Sequence, residues 1–304
     1  MKYSRMFTTD ALQENTKEIY RVRIEYWLKM WRPAKTLAWL VENPVKAVAR
    51  MTSCKTIAHS PSNHHNYLTA IIAYMRHELK THPKLDEWKT IQRDNFAPIA
   101  EHYQSGKPTE RQEGMAIDWE DVKRVRDELP MGSTKMLLAF HTLLDPIRCD
   151  LYKCHVFDKD DEAYVSLTDN YITIEPAVLH LNDYKTKKSH GRQQIPLPDE
   201  LLLLLLDYLA EVPRAMPSIL FETEAGEHFC RSSFSKWAIR RLTKAFGRPM
   251  NLSTLRHSYI SNLDFNKKTK ELNEIAKRMG HTLATQRIYR WDDTETKNEV
   301  VEPE

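Results

Sequence analysis

The segment QSGKPTERQEG, Gln104 to Gly114, constrains this chain more than any other stretch. It loses apolar residues and gathers Gly, Pro and charge, the composition of a connection rather than of a packed element. Cutting a 304-residue chain here leaves two pieces, each long enough to bury its own core. We expect a helical domain over 1–106, a linker over 107–114, a second domain over 115–291 and an acidic tail over 292–304.

The first piece reads as helices. Ile19, Arg23, Tyr26, Trp27 and Met30 stand at helical spacing, and Leu68, Ile71, Ile72, Met75 and Leu79 repeat the pattern more cleanly. A third, less regular run spans Trp88 to Tyr103. Aromatic stripes of this kind are far more often core than base-stacking surface. In the second piece Asp118 and Ser133 are placed to cap helices bearing Val122 and Val125, and Met136 and Phe140. Four short β-type runs follow, AYVSL, YITIE, VLHLN and QQIPL, which fit a small antiparallel sheet. The polar turn DYKTKKSHGR separates the last two. Helices resume at Asp199 and again at Ser232. The fold class expected is mainly α: an all-α domain, then a mostly helical α+β domain with a small antiparallel sheet.

A formal net charge of +3 conceals an asymmetry. Residues 1–110 hold 17 Lys and Arg against 11 Asp and Glu, whereas the last fourteen residues hold one basic and six acidic groups. The basic excess permits a nucleic-acid partner without requiring one. No apolar run approaches the length of a membrane span, and the amino terminus has neither the apolar core nor the cleavage site of a secretory signal, so an intracellular protein away from the membrane is expected. The cysteines form no C-x-x-C pair, the histidines no H-E-x-x-H, and no G-x-x-x-x-G-K-[ST] loop occurs, so neither a metal nor a nucleotide cofactor is expected.

Four stretches bring cations or a phenol suited to phosphoryl chemistry. LLDPIRCD carries Arg148, and the basic turn carries Lys185, Lys187 and Lys188. NLSTLRHSY carries Ser253, Arg256 and His257, and MGHTLATQRIY carries His281 and Tyr289. Singly, each reads as an ordinary feature: an arginine after a helix is usually a surface ion pair, and a lysine-rich turn is usually just solvated. Their order is more informative. Arg, Lys on a turn, L-R-H-S-Y, G-H and then Tyr resembles the catalytic domain of tyrosine recombinases of the phage-integrase type, over roughly residues 114–291. The P-x-R-x-D and D-Y-K-T elements look closest to the integrase-like recombinases of eukaryotic mobile elements and large DNA viruses.

That resemblance implies a site-specific enzyme that breaks and rejoins double-stranded DNA through a covalent 3′-phosphotyrosine, with residues 1–106 as its DNA core-binding domain. It places the two phosphate-binding arginines at Arg148 and Arg256, the general-acid lysine at Lys185 with Lys187 and Lys188 as alternates, the late histidine at His281 and the nucleophile at Tyr289. It also implies a homotetramer on synapsed DNA, with the acidic tail docking on a neighbouring subunit. One departure stands out. The family carries histidine or lysine where this chain has Ser253; a hydroxyl cannot serve as the expected base or cation, which leaves Ser253 a hydrogen bond to the phosphate and makes the adjacent His257 the other phosphate-binding or catalytic candidate. His257 is read as structural, bound to nearby backbone and turned about a hundred degrees from the Arg256 face. Two rival readings are a type IB topoisomerase-like enzyme and a DNA-binding protein that has lost activity.

Spacing adds one expectation of its own. Eight residues of unbroken helix would hold His281 and Tyr289 about 12 Å apart, too far to meet one phosphate. Gly280 should therefore end one helix and Thr282 should cap the next.

Overall fold

The computed structural model describes residues 6–54, 57, 61–159, 168–211, 216–263 and 269–289. The chain divides into two compact units, Met1–Ser105 and Gly106–Glu304.

Unit 1 is helical: α1 (Glu14–Lys29), α2 (Leu37–Glu42), α3 (Pro44–Thr52), α4 (Pro61–Tyr74), which runs on into a wide turn over Met75–Leu79, and α5 (Leu85–Gln104). Its core joins Leu68, Ile71, Ile72 and Met75 to two crossed tryptophans, Trp27 and Trp88, whose rings lie 5.7 Å apart. Burying an indole obliges its N–H to find an acceptor, and Trp27 donates to the Ala47 carbonyl while Trp88 donates to that of Val41. The expected stripe on α1 is out of phase. Ile24, Trp27 and Leu28 are buried with Tyr20 packed beside them, whereas Ile19 and Tyr26 are exposed. The row Tyr20, Ile24, Trp27, Leu28 is uninterrupted by charge, while the expected row contained Arg23, so the helix turns by about one residue.

Unit 2 opens with α6 (Glu110–Glu113), a turn of helix inside the segment expected to be pure linker, then α7 (Trp119–Glu128) and α8 (Ser133–Thr142). Asp118 caps α7 by accepting from the Glu120 N–H. Ser133 is not the cap of α8. Gly132 takes that position at a φ of 147°, and Ser133 becomes the first helical residue. A 3-10 turn (Asp150–Lys153) leads into β1 (Cys154–Lys159), β2 (Asn170–Glu175) and β3 (Val178–Leu181). There follow α9 (Lys187–His190), β4 (Gln193–Pro196), α10 (Asp199–Glu211), β5 (Ser218–Ile219), α11 (Arg231–Phe246), α12 (Leu252–Ser261), α13 (Thr269–Arg278) and α14 (Leu283–Tyr289).

The sheet runs β4-β3-β2-β1-β5 and is mixed rather than antiparallel, because β1 and β2 pair in parallel. In that register Cys154 faces Asn170 and Lys159 faces Glu175, a parallel pairing that a hairpin does not make. The run AYVSL lies outside the described residues. β1 and β5 were not anticipated. The core of unit 2 gathers Leu137 and Phe140 of α8, Val156, Ile172 and Leu179 of the sheet, Leu201 and Leu205 of α10, Phe234 of α11 and Leu255 of α12. Mostly helical with one small sheet, this unit packs α8 against α7, α10 and α11.

Candidate active site

Four elements of unit 2 deliver the site, and backbone carbonyls hold it in place. Arg148 follows α8 on the loop that begins at Leu143. Arg256 sits in the middle of α12 and is only 2% exposed. Its Nη1 donates to the Pro146 carbonyl at 3.0 Å and its Nη2 to that of Met279 at 3.3 Å. One planar guanidinium thus bridges the loop carrying Arg148 and the turn carrying His281, which a lysine could not do. Arg148 Nη1 donates in turn to the Gly280 carbonyl at 3.1 Å.

The turn after α13 forms as its sequence requires. Gly280 takes a φ of 67° and donates its N–H to the Lys277 carbonyl, while His281 donates back to Ala276, the paired bonds of a glycine-terminated helix. A side chain here would fail twice: a Cβ at Gly280 would lie 2.8 Å from Thr186 Oγ1, and its positive φ favours glycine. Thr282 then caps α14 by accepting from the Thr285 N–H. The break expected from spacing alone is present. It brings the His281 and Tyr289 rings to a centroid separation of 5.7 Å, with the Arg256 guanidinium 5.7 Å from the centre of the Tyr289 ring.

His281 is 5% exposed, and neither ring nitrogen has a hydrogen-bond partner among the described residues. Burial first, then the charges of Arg256 and Arg148, push its pKa down to about 3, so the free ring is neutral. Burial and the neighbouring Arg148 likewise pull the Arg256 guanidinium down to about 10. Asp150, 4% exposed, pairs with Arg231 Nη2 at 3.3 Å, and burial raises its carboxyl against the pull of Arg231, Arg148 and Arg256. One buried carboxylate facing three guanidiniums leaves a positive, poorly solvated place beside a histidine whose two ring nitrogens have no partner among the described residues. Such a place has the chemistry to receive an anion.

His257 binds backbone, as expected, through Nδ1 to the Tyr289 carbonyl at 2.9 Å. It is not turned away from the site, however. Its ring centre lies 4.6 Å from that of Tyr289, because α14 crosses α12 broadly enough to touch neighbouring faces. The basic turn holds Lys185, exposed, with Lys187 and Lys188 opening α9. Among the described residues none of the three donates a side-chain hydrogen bond or forms an ion pair. Thr186, between them, ties the turn to the site by donating to the Gly280 carbonyl at 3.0 Å, beside Arg148. Ser253 is exposed in the first turn of α12, after its Asn251 cap, and has no side-chain partner among the described residues. Tail residues 292–304 lie outside the described residues.

Three polar groups near the site escaped the sequence reading. Arg231 begins α11 and stacks over Tyr152, its guanidinium 5.1 Å from the ring centre. Gln286, three residues before Tyr289, is fully buried with no partner for either side-chain end among the described residues. His141 is fully buried on α8, and only its position inside the apolar run MLLAFHTLL hinted at it.

No protein-family description and no curated relative matches the sequence. Solved structures to which it is similar include two recombinases, a protelomerase and a phage integrase. XerH site-specific recombinase, in a post-cleavage complex with its palindromic difH substrate, is 17% identical, with 92% of this chain and 76% of that chain covered and a TM-score of 0.47. A protelomerase covalently complexed with substrate DNA is 15% identical, over 94% and 90% of the two chains, with a TM-score of 0.45. XerA recombinase is 14% identical, over 94% and 90%, with a TM-score of 0.44.

Proposed function

We propose that this chain is a site-specific recombinase that breaks and rejoins double-stranded DNA by transesterification, with Tyr289 as nucleophile. The observation that carries this reading is the convergence of Arg148, Arg256, His281 and Tyr289, which come from three separate stretches, around a buried imidazole with no hydrogen-bond partner among the described residues. Transfer of a phosphoryl group spreads negative charge over the non-bridging oxygens while the attacking and leaving oxygens lie in line. Arg148 and Arg256 supply two fixed guanidiniums for that charge. A neutral His281 donates one N–H to the same oxygens.

The Tyr289 oxygen forms a bond to phosphorus as the bond to the 5′ oxygen breaks. A lysine of the basic turn, Lys185 in the first instance, gives its proton to the departing oxygen. The phenolic proton passes to the second nitrogen of His281, whose basicity rises once a phosphate offsets the two arginines. A 3′-phosphotyrosyl link and a free 5′-hydroxyl result. Because one phosphoester has replaced another, bond energy is retained, and attack by a new 5′-hydroxyl rejoins the strand without ATP. Exchanging strands between two duplexes calls for four protomers. The basic unit 1 is assigned to holding DNA, and the acidic tail to a neighbouring protomer.

The test is adduct trapping. Wild-type protein and Tyr289→Phe are incubated with nicked DNA bearing candidate target ends in a chelator, denatured in detergent and examined for protein-linked DNA. An adduct absent from the Phe variant is the expected result. Relaxation of plasmid without partner exchange would point to a topoisomerase instead, and tight binding with no adduct would point to an inactive DNA-binding protein.

A further inference from the structure

A second cluster ties together the elements that carry Arg148, Arg256 and His281. Asp145 accepts a hydrogen bond at Oδ1 from the Tyr259 hydroxyl and at Oδ2 from Arg278 Nε. Each member stands three residues from a group of the candidate site: Asp145 before Arg148, Tyr259 after Arg256, Arg278 before His281. The peptides next to the cluster are the ones the site uses. Pro146, whose carbonyl receives Arg256 Nη1, directly follows Asp145, and Met279, whose carbonyl receives Nη2, directly follows Arg278.

We propose that Asp145 is a positioning residue that locks the Arg148 loop, the Arg256 helix and the His281 turn in register through Tyr259 and Arg278. The proposal rests on the transesterification reading for its effect on rate, but the geometry it asserts exists in the free protein. Exposure supports it. The Asp145 side chain is 13% exposed, unlike a solvated surface pair, while Arg278 is 48% exposed and shields it from the solvent side. Tyr259 packs its ring against Trp119, 5.1 Å between centres, which fixes where its hydroxyl points. Burial, and then Asp145 itself, hold that phenol well above the usual range, so it remains a donor wherever the protein is folded. A carboxylate taking one charged and one neutral donor on separate oxygens sets distance and direction for both helices at once. Without it, Arg256 would still reach for two carbonyls whose loops are no longer held to α12.

The test compares Asp145→Ala, Asp145→Asn and Arg278→Gln, with Arg124→Gln, at an exposed ion pair of α7, as control. Two readouts are taken: single-turnover adduct formation at saturating nicked DNA beside DNA affinity, and the His281 imidazole titration by NMR in free protein. Asp145→Ala should slow adduct formation about 100-fold, as a misplacement near 1 Å does, with affinity unchanged. Asp145→Asn keeps an oxygen for Tyr259 and should recover about ten-fold of that loss. In Asp145→Ala and Arg278→Gln the His281 midpoint should climb from about 3 toward the ordinary 6.5 as its burial loosens. Unchanged rate and midpoint in Asp145→Ala and Arg278→Gln would overturn the proposal. If Asp145→Ala does not fold, Arg278→Gln, altered on the solvent side, decides alone. A moved midpoint in a protein whose wild type forms no adduct would leave the positioning role standing and remove the transesterification reading.

Discussion

The two halves of the candidate site are built on opposite terms. Arg256 and His281 are buried, and Arg256 and Arg148 are tied by their guanidiniums to the carbonyls of Pro146, Met279 and Gly280. The cost of that burial is visible in the depressed pKa values of Arg256 and His281. Lys185, Lys188 and Ser253, by contrast, are exposed. Under the proposed transesterification the difference matches the work each half would do. Groups that stabilise developing charge are worth most when they are dry and already in place, so that nothing reorganises during reaction. A proton donor to a leaving oxygen needs reach, and it keeps its charge more cheaply in water.

If the buried half is preorganised, breaking it should cost most. Arg256→Ala removes a charge and a bridge between two loops, and single-turnover adduct formation should fall about 1,000-fold, the scale for losing a fixed oxyanion donor. Arg256→Lys should recover little, since an ammonium cannot span both carbonyls. A loss under ten-fold would remove the contrast between the halves. For the exposed half, alanine replacements of Lys185, Lys187 and Lys188 should separate one general acid, about 100-fold slower when lost, from two bystanders. The defect of that one variant should vanish on DNA whose leaving atom is sulfur, which departs without a proton, while the Arg256 defect should persist. Rescue of both, or of neither, would dissolve the assignment.

How far the sequence reached depends on whether a feature is local. Gly280 and Thr282 announced a helix break because glycine at positive φ and threonine at an N-cap act within four residues of themselves. The candidate groups were legible through order, each inside a short motif. Features set by a third element were not. The phase of α1 turned on which face met Trp88, and the parallel direction in which β1 and β2 pair is not encoded by alternation of apolar residues. His257 was correctly read as a backbone binder, yet its nearness to the Tyr289 ring depends on where α14 crosses. The Asp145 cluster was invisible for the same reason: its members are 114 and 133 residues apart from Asp145 in sequence.

Burial also leaves a thermodynamic mark that the exposed half lacks. His141 is fully buried beside the site, with Nδ1 on the Leu137 carbonyl at 2.8 Å, and burial followed by the charge of Arg256 lowers its pKa to about 4. Its unfolded value is near 6.5, so between those limits the unfolded chain binds more protons than the folded one. Stability is therefore full above about pH 6.5 and declines as pH falls toward 4, by about 2 kcal/mol between pH 7 and pH 5. His281 acts with the same sign, and Asp150, raised by burial, with the opposite one. Denaturant unfolding at both pH values should show His141→Gln losing about 2 kcal/mol less than wild type over that interval. An equal loss in both proteins would mean that His141 is solvated and that water reaches the interior beside Arg256.

The smallest effect belongs to Ser253, and it is the sharpest test of the comparison because the family resemblance puts a histidine or lysine there. Ser253 lies exposed in the first turn of α12, one turn ahead of both Arg256 and His257. The helix end there already favours an anion through its free N–H groups. If the buried half alone carries the charge, Ser253→Ala should leave adduct formation within about two-fold of wild type, as for other surface changes. Ser253→His would add a titratable cation next to a phosphate already held by two arginines, and its benefit should appear only below about pH 6.5, where an exposed imidazole is charged. A large loss in the alanine variant would instead make the serine hydroxyl a phosphate ligand in its own right. The line between the halves would then fall between Ser253 and the lysines rather than between buried and exposed.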